Sequence, residues 1–258
     1  MKNEIQTKLN AAEHRIAESY KAKGDKCKAC KEYCREKGLE LHGPLSFFNI
    51  GEKFEHDRHR VVFVGKNHWY DKTQVEELEF LDPSRFRDCR DDGAVAFLTR
   101  QSRFWGYIQD IAKQLYLEEG NEARLLDHIS ITNITKCNTS LDYRDTTPYC
   151  MTDNCVEVFE EEIKALRPKH IIFFTGRGYD SYIDKLSFGY AISPKDITKR
   201  TYKKEIENQY LVWWWHREFF ESDKVTMHLL RTRHPQGAPK ELINEIVKWI
   251  KKKSFQTT

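Results

Sequence analysis

Apolar residues in this chain fall into short unbroken runs separated by longer amphipathic segments. Val61-Val62-Phe63-Val64 is one such run, and it stops at Gly65 before the polar, aromatic loop Lys66-Asn67-His68-Trp69-Tyr70-Asp71. Four apolar residues in succession, three of them valine, suit a strand covered on both faces. A glycine then permits a sharp exit from it. Comparable β-rich runs lie at 128–135, ending near Asn133, at 170–175, at 210–215 and at 225–230. Between the runs the period changes to that of a helix. Ile5, Leu9, Ala12, Ile16 and Tyr20 share one face of a segment that Gly24 ends. Phe104, Ile108, Ile111 and Leu115 form a second stripe, with Ser102 as its N-cap. Val156, Phe159, Ile163 and Leu166 form a third, closed by Pro168. Leu242, Ile243, Ile246, Val247 and Ile250 form the last, and Lys248 with Lys251 to Lys253 suit the negative end of its dipole. Residues 35–60 and 186–209 read as irregular connections. Gly176-Arg177-Gly178 carries only two glycines of a dinucleotide fingerprint and reads as a strand-to-helix turn.

Strands alternating with helices predict a three-layer α/β fold with a parallel sheet. The polar loops at the carboxyl ends of its strands then converge, namely 65–71, 133–136 and 231–239, and ligands of open α/β sheets bind in that crevice. Asn133 offers two donors and an acceptor, which suits reading a base edge, or it is simply a turn residue. Phe97, in the loop before the second helix, is a core anchor on residue type alone.

Composition narrows the class. The chain has 258 residues, 39% hydrophobic and 32% charged, enough apolar material for one real core. No run of about 18 apolar residues predicts a membrane span, and the charged N-terminal segment does not read as a signal peptide, so an intracellular protein that does not contact membrane is expected. The net charge of +3 neither demands nor excludes nucleic acid, because a local basic patch is what matters. Seven cysteines in such a chain point to metal or catalysis rather than disulfides. Cys27, Cys30 and Cys34 form one cluster, with two thiolates at a spacing that grips a metal from a tight turn. Cys137, Cys150 and Cys155 form another, and Cys89 stands alone. His216-Arg217-Glu218 suggests a zinc deaminase, but no Pro-Cys-x-x-Cys follows it, which excludes that chemistry.

Taken together, the motifs resemble the uracil-DNA glycosylase superfamily. Gly65-Lys66-Asn67-His68-Trp69-Tyr70 resembles the family's first motif. Phe97 followed by Arg103-Phe104-Trp105 resembles the base-stacking Phe and helix start of the mismatch-specific branch. Ile131-Thr132-Asn133-Ile134-Thr135-Lys136-Cys137 resembles the Thr-Asn-x-x-Lys-Cys strand end of the iron–sulfur branch, and Cys155 with Leu166-Arg167-Pro168-Lys169-His170-Ile171-Ile172 resembles its cysteine-headed helix and next strand. Arg233-His234-Pro235-Gln236 resembles the late His-Pro loop. The chain departs from the family where His68 replaces the usual proline, where Lys66 stands for Glu, and where Asn138-Thr139 stands for Pro-Pro. Its charged insertion at 72–92 is also long.

The resemblance implies a single domain over residues 1–258, α/β/α around a central, mostly parallel four-stranded sheet, with the N-terminal helix and Cys-rich segment (1–45) packed on it. It implies a monomeric DNA glycosylase, acting on uracil or on a bulkier modified base as in defence against phage DNA, with a catalytically inactive DNA-binding relative as the alternative. In that scheme a flipped base stacks on Phe97 and is read by Asn133. His234 donates to the developing anion. Asn67 positions water, with Asp71 as its rival. Gly65, Lys66, His68 and Trp69 shape the base pocket, Trp69 excluding a 5-methyl group, shaping a larger pocket or merely packing. Arg231, Arg233, Gln236 and Gly237 meet DNA, with Lys199, Arg200, Lys203 and Lys204 as further phosphate contacts. Cys27, Cys30, Cys137 and Cys155 match the four ligands of a [4Fe–4S] cluster, with zinc as the alternative metal and Cys34 or Cys150 as substitute ligands.

Overall fold

The computed structural model describes residues 12–16, 18, 22, 24–41, 49–66, 94–116, 120–139, 147–192, 204–208 and 210–254. Its strands are β1 (Asn49–Ile50), β2 (Val61–Gly65), β3 (Ile129–Asn133), β4 (His170–Phe173), β5 (Ala191–Ile192), β6 (Lys204–Ile206), β7 (Tyr210–Val212), β8 (Trp214–Glu221) and β9 (Lys224–Thr232). Its helices are α1 (Gly24–Glu36), α2 (Arg103–Leu115), α3 (Tyr149–Leu166), α4 (Asp180–Ile183) and α5 (Leu242–Ser254).

The expected α/β fold is present. Four strands, in the order β3-β2-β4-β9, run parallel through the middle of the sheet. Side chains alternate across it. Val61 and Phe63 face a core shared with α2 and α5, while Val62 and Val64 face a second core shared with α3 and with Ala12 and Ile16. Every residue of β2 is buried, as an apolar run covered on both faces requires. Each such Val or Phe contributes about 1.5–3 kcal/mol of transfer free energy.

The sheet is wider than expected, with seven strands among the described residues. β1 adds antiparallel to β3, and β8 and β5 extend the other side antiparallel. The reason lies in β8. The run at 210–215 is two strands, not one: Tyr210–Val212 pairs with Lys204–Ile206 in a separate hairpin, and Trp214 opens β8. β8 carries Arg217 inward, 3% exposed, which periodicity does not anticipate. Its guanidinium reaches Asp184 Oδ1 at 3.2 Å and lies 5.5 Å from the Trp215 ring centroid. Nor does Gly24 end the helical run, since it opens α1, and Cys27, Cys30 and Cys34 sit on a helix rather than in a tight turn. Their i, i+3, i+7 spacing places them on one face of it. Among the described residues, no helix is long and apolar enough to cross a membrane.

β2 lies at the point where the connections diverge. The chain passes from β2 to β3 on one side, then crosses back to β4 on the other. That is the topological switch point at which α/β sheets bind ligands, outside the carboxyl ends of the strands.

The opposite end of the sheet holds buried histidines. His170 and His228 stack 5.6 Å apart, both edge-on to Trp249. His170 Nδ1 donates to the His59 carbonyl at 2.6 Å. Burial pushes all three imidazoles down, His59 and His228 to about 4 and His170 to about 3. For His228 this outweighs the opposing attraction of Glu218, 3.4 Å away. Below about pH 6.5 the unfolded chain therefore binds more protons than the native one, and stability falls with pH. The loss runs from about pH 6.5 down towards pH 3–4, steepening to at most roughly 4 kcal/mol per pH unit if all three contribute. Urea unfolding from pH 7.5 to 4.5 checks this; an unfolding free energy that stays flat below pH 6.5 refutes it.

Candidate active site

The carboxyl ends of β2 and β3 meet residue for residue, with Gly65 opposite Asn133. The loops that follow remain joined, since Ile134 N donates to Gly65 O (3.0 Å) and Thr135 N to Lys66 O (2.8 Å). Gly65 is required by what lies above it. An ideal Cβ placed there would sit 2.2 Å from Asn133 Oδ1 and 3.3 Å from Phe104 Cζ. Asn133 is 6% exposed, so its amide is held in a confined space.

His234 reaches the same place from β9. It caps the short 3-10 turn Pro235–Gly237, and its Nδ1 accepts from Gln236 N at 3.2 Å. A neutral ring with Nδ1 accepting carries its proton on Nε2, which makes Nε2 the donor. The ring lies nearly parallel to that of Phe104, with an interplanar angle of 18° and centroids 6.4 Å apart. α2 clasps this loop. Arg103 donates to Gln236 O (3.3 Å) and Ala238 O (2.7 Å), and the Tyr107 hydroxyl donates to Pro239 O.

Phe97 does not occupy the expected place. It is fully buried in the core between the sheet and α2, and its carbonyl accepts from Gln109 Nε2 at 3.0 Å. Phe104, half-buried, is the ring against Gly65 and His234. Periodicity shows that Phe104 begins the α2 stripe. It does not show that the first turn of α2 points at the sheet's carboxyl end, which is set by the clasp around residues 236–239.

Arg231 is likewise corrected. Its side chain is fully buried, paired with Asp180 Oδ2 and 5.7 Å from the Trp215 ring centroid, so it is not a phosphate contact. Lys204 is tied to Glu245 (2.6 Å) and lies over Trp214. Arg233, Gln236 and Gly237 are exposed at the carboxyl end, with the Arg233 guanidinium folded against Gly237. Lys66 lies beside Gly65 with Nζ 5.9 Å from the Tyr179 ring centroid. Asn67, His68, Trp69, Asp71, Cys89, Lys199, Arg200 and Lys203 fall outside the described residues.

Sequence reasoning also missed a buried ion pair directly behind Asn133. Lys136 Nζ donates to Asn133 O (2.5 Å), Thr132 Oγ1 (2.8 Å) and Glu162 Oε2 (2.6 Å), with Lys136 and Glu162 essentially inaccessible.

Beside this pair α1, α3 and the loop after β3 bring six cysteines together. Burial, with mutual repulsion, raises Cys27 and Cys34 to about 11. Burial raises Cys155 to about 12, opposed by the Lys136 amide and ammonium. Cys30 and Cys137 are also raised. Cys137 feels the charge of Cys155, Cys27, Cys30 and Cys34, Cys155 that of Cys30 and Cys27, and Cys27 that of Cys30. Asn154 Nδ2 donates to Cys30 Sγ (3.0 Å) and the Lys136 amide to Cys155 Sγ (3.4 Å). Burial keeps these sulfurs protonated as thiols, and buried sulfurs with N–H donors suit a thiophilic metal group that would displace the protons. Among the described residues, no three His, Cys, Asp or Glu side chains are gathered tightly enough to hold a single metal ion.

The architecture and the grouping of Gly65, Asn133, Phe104 and His234 at the switch point define an α/β protein with a polar and aromatic side-chain cluster at the carboxyl ends of its sheet. A family model for the uracil DNA glycosylase superfamily matches residues 52–250, and the chain belongs to that superfamily. No curated protein matches it.

Proposed function

We propose that the protein is a monofunctional DNA glycosylase that extrudes an altered base and hydrolyses its N-glycosidic bond. The observation that carries this reading is the convergence of Asn133, Phe104 and the Nε2 donor of His234 around Gly65. In this scheme the extruded base lies against Phe104, and Asn133 reads its Watson–Crick edge. The bond between C1′ and the base nitrogen breaks with its electron pair leaving on the base, and His234 Nε2–H stabilises the charge on the base oxygen. Water adds to C1′, positioned by Asn67 or activated by Asp71. Lys66, His68 and Trp69, where the chain leaves the family pattern, are where the choice between uracil and a bulkier modified base, as in defence against phage DNA, would be set.

The test is release of free base from oligonucleotides carrying uracil, hypoxanthine, a thymine mismatch or hypermodified cytosine. Release from at least one is expected. No release from any, with DNA binding intact, refutes the enzyme and leaves an inactive DNA-binding relative.

We further infer that Cys27, Cys30, Cys137 and Cys155 hold a [4Fe–4S] cluster, which would pin α1 and α3 to the loop after Asn133. A tetrahedral zinc draws its sulfurs to roughly 3.8 Å of one another, given Zn–S bonds of about 2.3 Å. The likeness of these four cysteines to the ligands of the iron–sulfur branch supports a cluster over such a site. Anaerobically purified protein is expected to be brown, absorbing near ~400 nm, and Cys137→Ser to lose the colour; a colourless, zinc-loaded protein overturns this.

A further inference from the structure

The three consecutive tryptophans at the start of β8, Trp213 just before it and Trp214 and Trp215 within it, are used differently. Trp214 and Trp215 are 7% and 3% exposed, one in each of the two cores. Trp213 is only half-buried, the one described tryptophan that is not buried. Because Trp214 pairs with Thr232, Trp213 lies level with Arg233, at the carboxyl end of the sheet. There the exposed Arg177 guanidinium lies 5.0 Å from the Trp213 ring centroid. Among the described residues no carboxylate pairs with Arg177. Gly176 and Gly178 flank it, and a Cβ on either would meet nothing within 4 Å, so the surface around the guanidinium is open. The pair adjoins the Gly65 site. Lys66, next to Gly65, lies over Tyr179, which shares the 3-10 turn Arg177–Tyr179. Gly176 N donates to Thr232 O (3.3 Å), which joins the ends of β4 and β9 beneath the strip.

We propose that Arg177 and Trp213 form a second stacking subsite, which holds the unpaired base of a nucleotide neighbouring the extruded one. The proposal rests on the DNA-glycosylase reading. A guanidinium held over an indole sets a planar cation beside an aromatic ring, and nucleobases stack on aromatic rings and on guanidinium planes alike. Every base has such a face, so the subsite is tolerant of sequence. A base within a duplex already has both faces covered by its neighbours. The subsite therefore favours single-stranded or locally opened DNA.

The experiment measures binding of a short single strand and of the corresponding duplex, each carrying one abasic-site analogue so that no turnover occurs. The parent is expected to bind the single strand more tightly. Arg177→Ala and Trp213→Ala are each expected to weaken single-strand binding by about five- to a hundred-fold, with little change for the duplex. Trp213→Phe keeps a ring and retains most of the binding. Arg177→Lys keeps the charge but loses the plane, and is expected to lose most of the binding at an unchanged salt slope. Arg177 is exposed, so its variants fold as the parent does. Single-strand affinity unchanged in Arg177→Ala and Trp213→Ala overturns the subsite, and so does Arg177→Lys equal to the parent, which would reduce Arg177 to a phosphate contact. A parent that binds neither DNA overturns the glycosylase reading along with the subsite, whereas unaffected variants of a binding parent overturn the subsite alone.

Discussion

Gly65→Ala is expected to lower base release by on the order of a hundred-fold or more while barely changing stability. The new methyl would fall 2.2 Å from Asn133 Oδ1 and 3.3 Å from Phe104 Cζ. The first contact is far inside van der Waals range and has to be relieved. The backbone does not resist alanine, because Gly65 is not among the glycines with positive φ. Relief therefore falls on the Asn133 side chain, which swings out of the position from which it reads a base. β2 and β3 keep their ladder, so the thermal midpoint is expected to stay within a few degrees, a shift of about 1 kcal/mol. Single-turnover base release on the best substrate, beside a thermal melt, separates the two effects. Activity within a few-fold of the parent would mean that Asn133 does not read the base from where it stands.

The parts of the site that were legible in the sequence are those that local pattern controls. β2 is an unbroken apolar run and β3, β4 and β9 are rich in β-branched and apolar residues, and their carboxyl ends bring Gly65, Asn133 and His234 to one end of the sheet. What was not legible depends on partners distant in sequence. Arg231 looks like a cation at the mouth of the site, and only Asp180, across from it on α4, turns it inward. Phe97 and Phe104 are seven residues apart and chemically identical. Packing against the α2 face buries the first, and the clasp of Arg103 and Tyr107 on residues 236–239 presents the second. Arg217 is a buried charge within a strand, a pattern that reads as a break until Asp184 is seen opposite it. The cysteines of α1 read as a turn from their spacing, but a C-x2-C with a third cysteine four residues on fits a helical face as well as it fits a loop.

Lys136→Met is expected to cost about 3–5 kcal/mol of stability, and Lys136→Met with Glu162→Leu to recover most of it. The side chains of Lys136 and Glu162 are 1% and 0% exposed and 2.6 Å apart. Removing the ammonium leaves the carboxylate buried with the Thr132 hydroxyl as a remaining donor, 2.9 Å away. A buried charge that loses its partner is far more costly than the pair it came from, because desolvation is no longer offset. Against a typical domain stability of about 5–15 kcal/mol, the single variant stands near the limit of folding. Removing both charges takes the desolvation penalty away, and methionine and leucine suit the apolar space beside Phe159, whose ring centroid lies 5.6 Å from Lys136 Nζ. Urea unfolding of the two single variants and the double one gives the coupling directly. A single variant that loses under 1 kcal/mol, or a double variant no better than Lys136→Met, would show that the pair does not hold this region. Function separates from stability in the double variant. Lys136 Nζ also donates to the Asn133 carbonyl at 2.5 Å, and no apolar side chain replaces that bond. The refolded double variant is therefore expected to stay folded yet release base more slowly than the parent, because Asn133 has lost the support beneath it while the ladder to Gly65 remains.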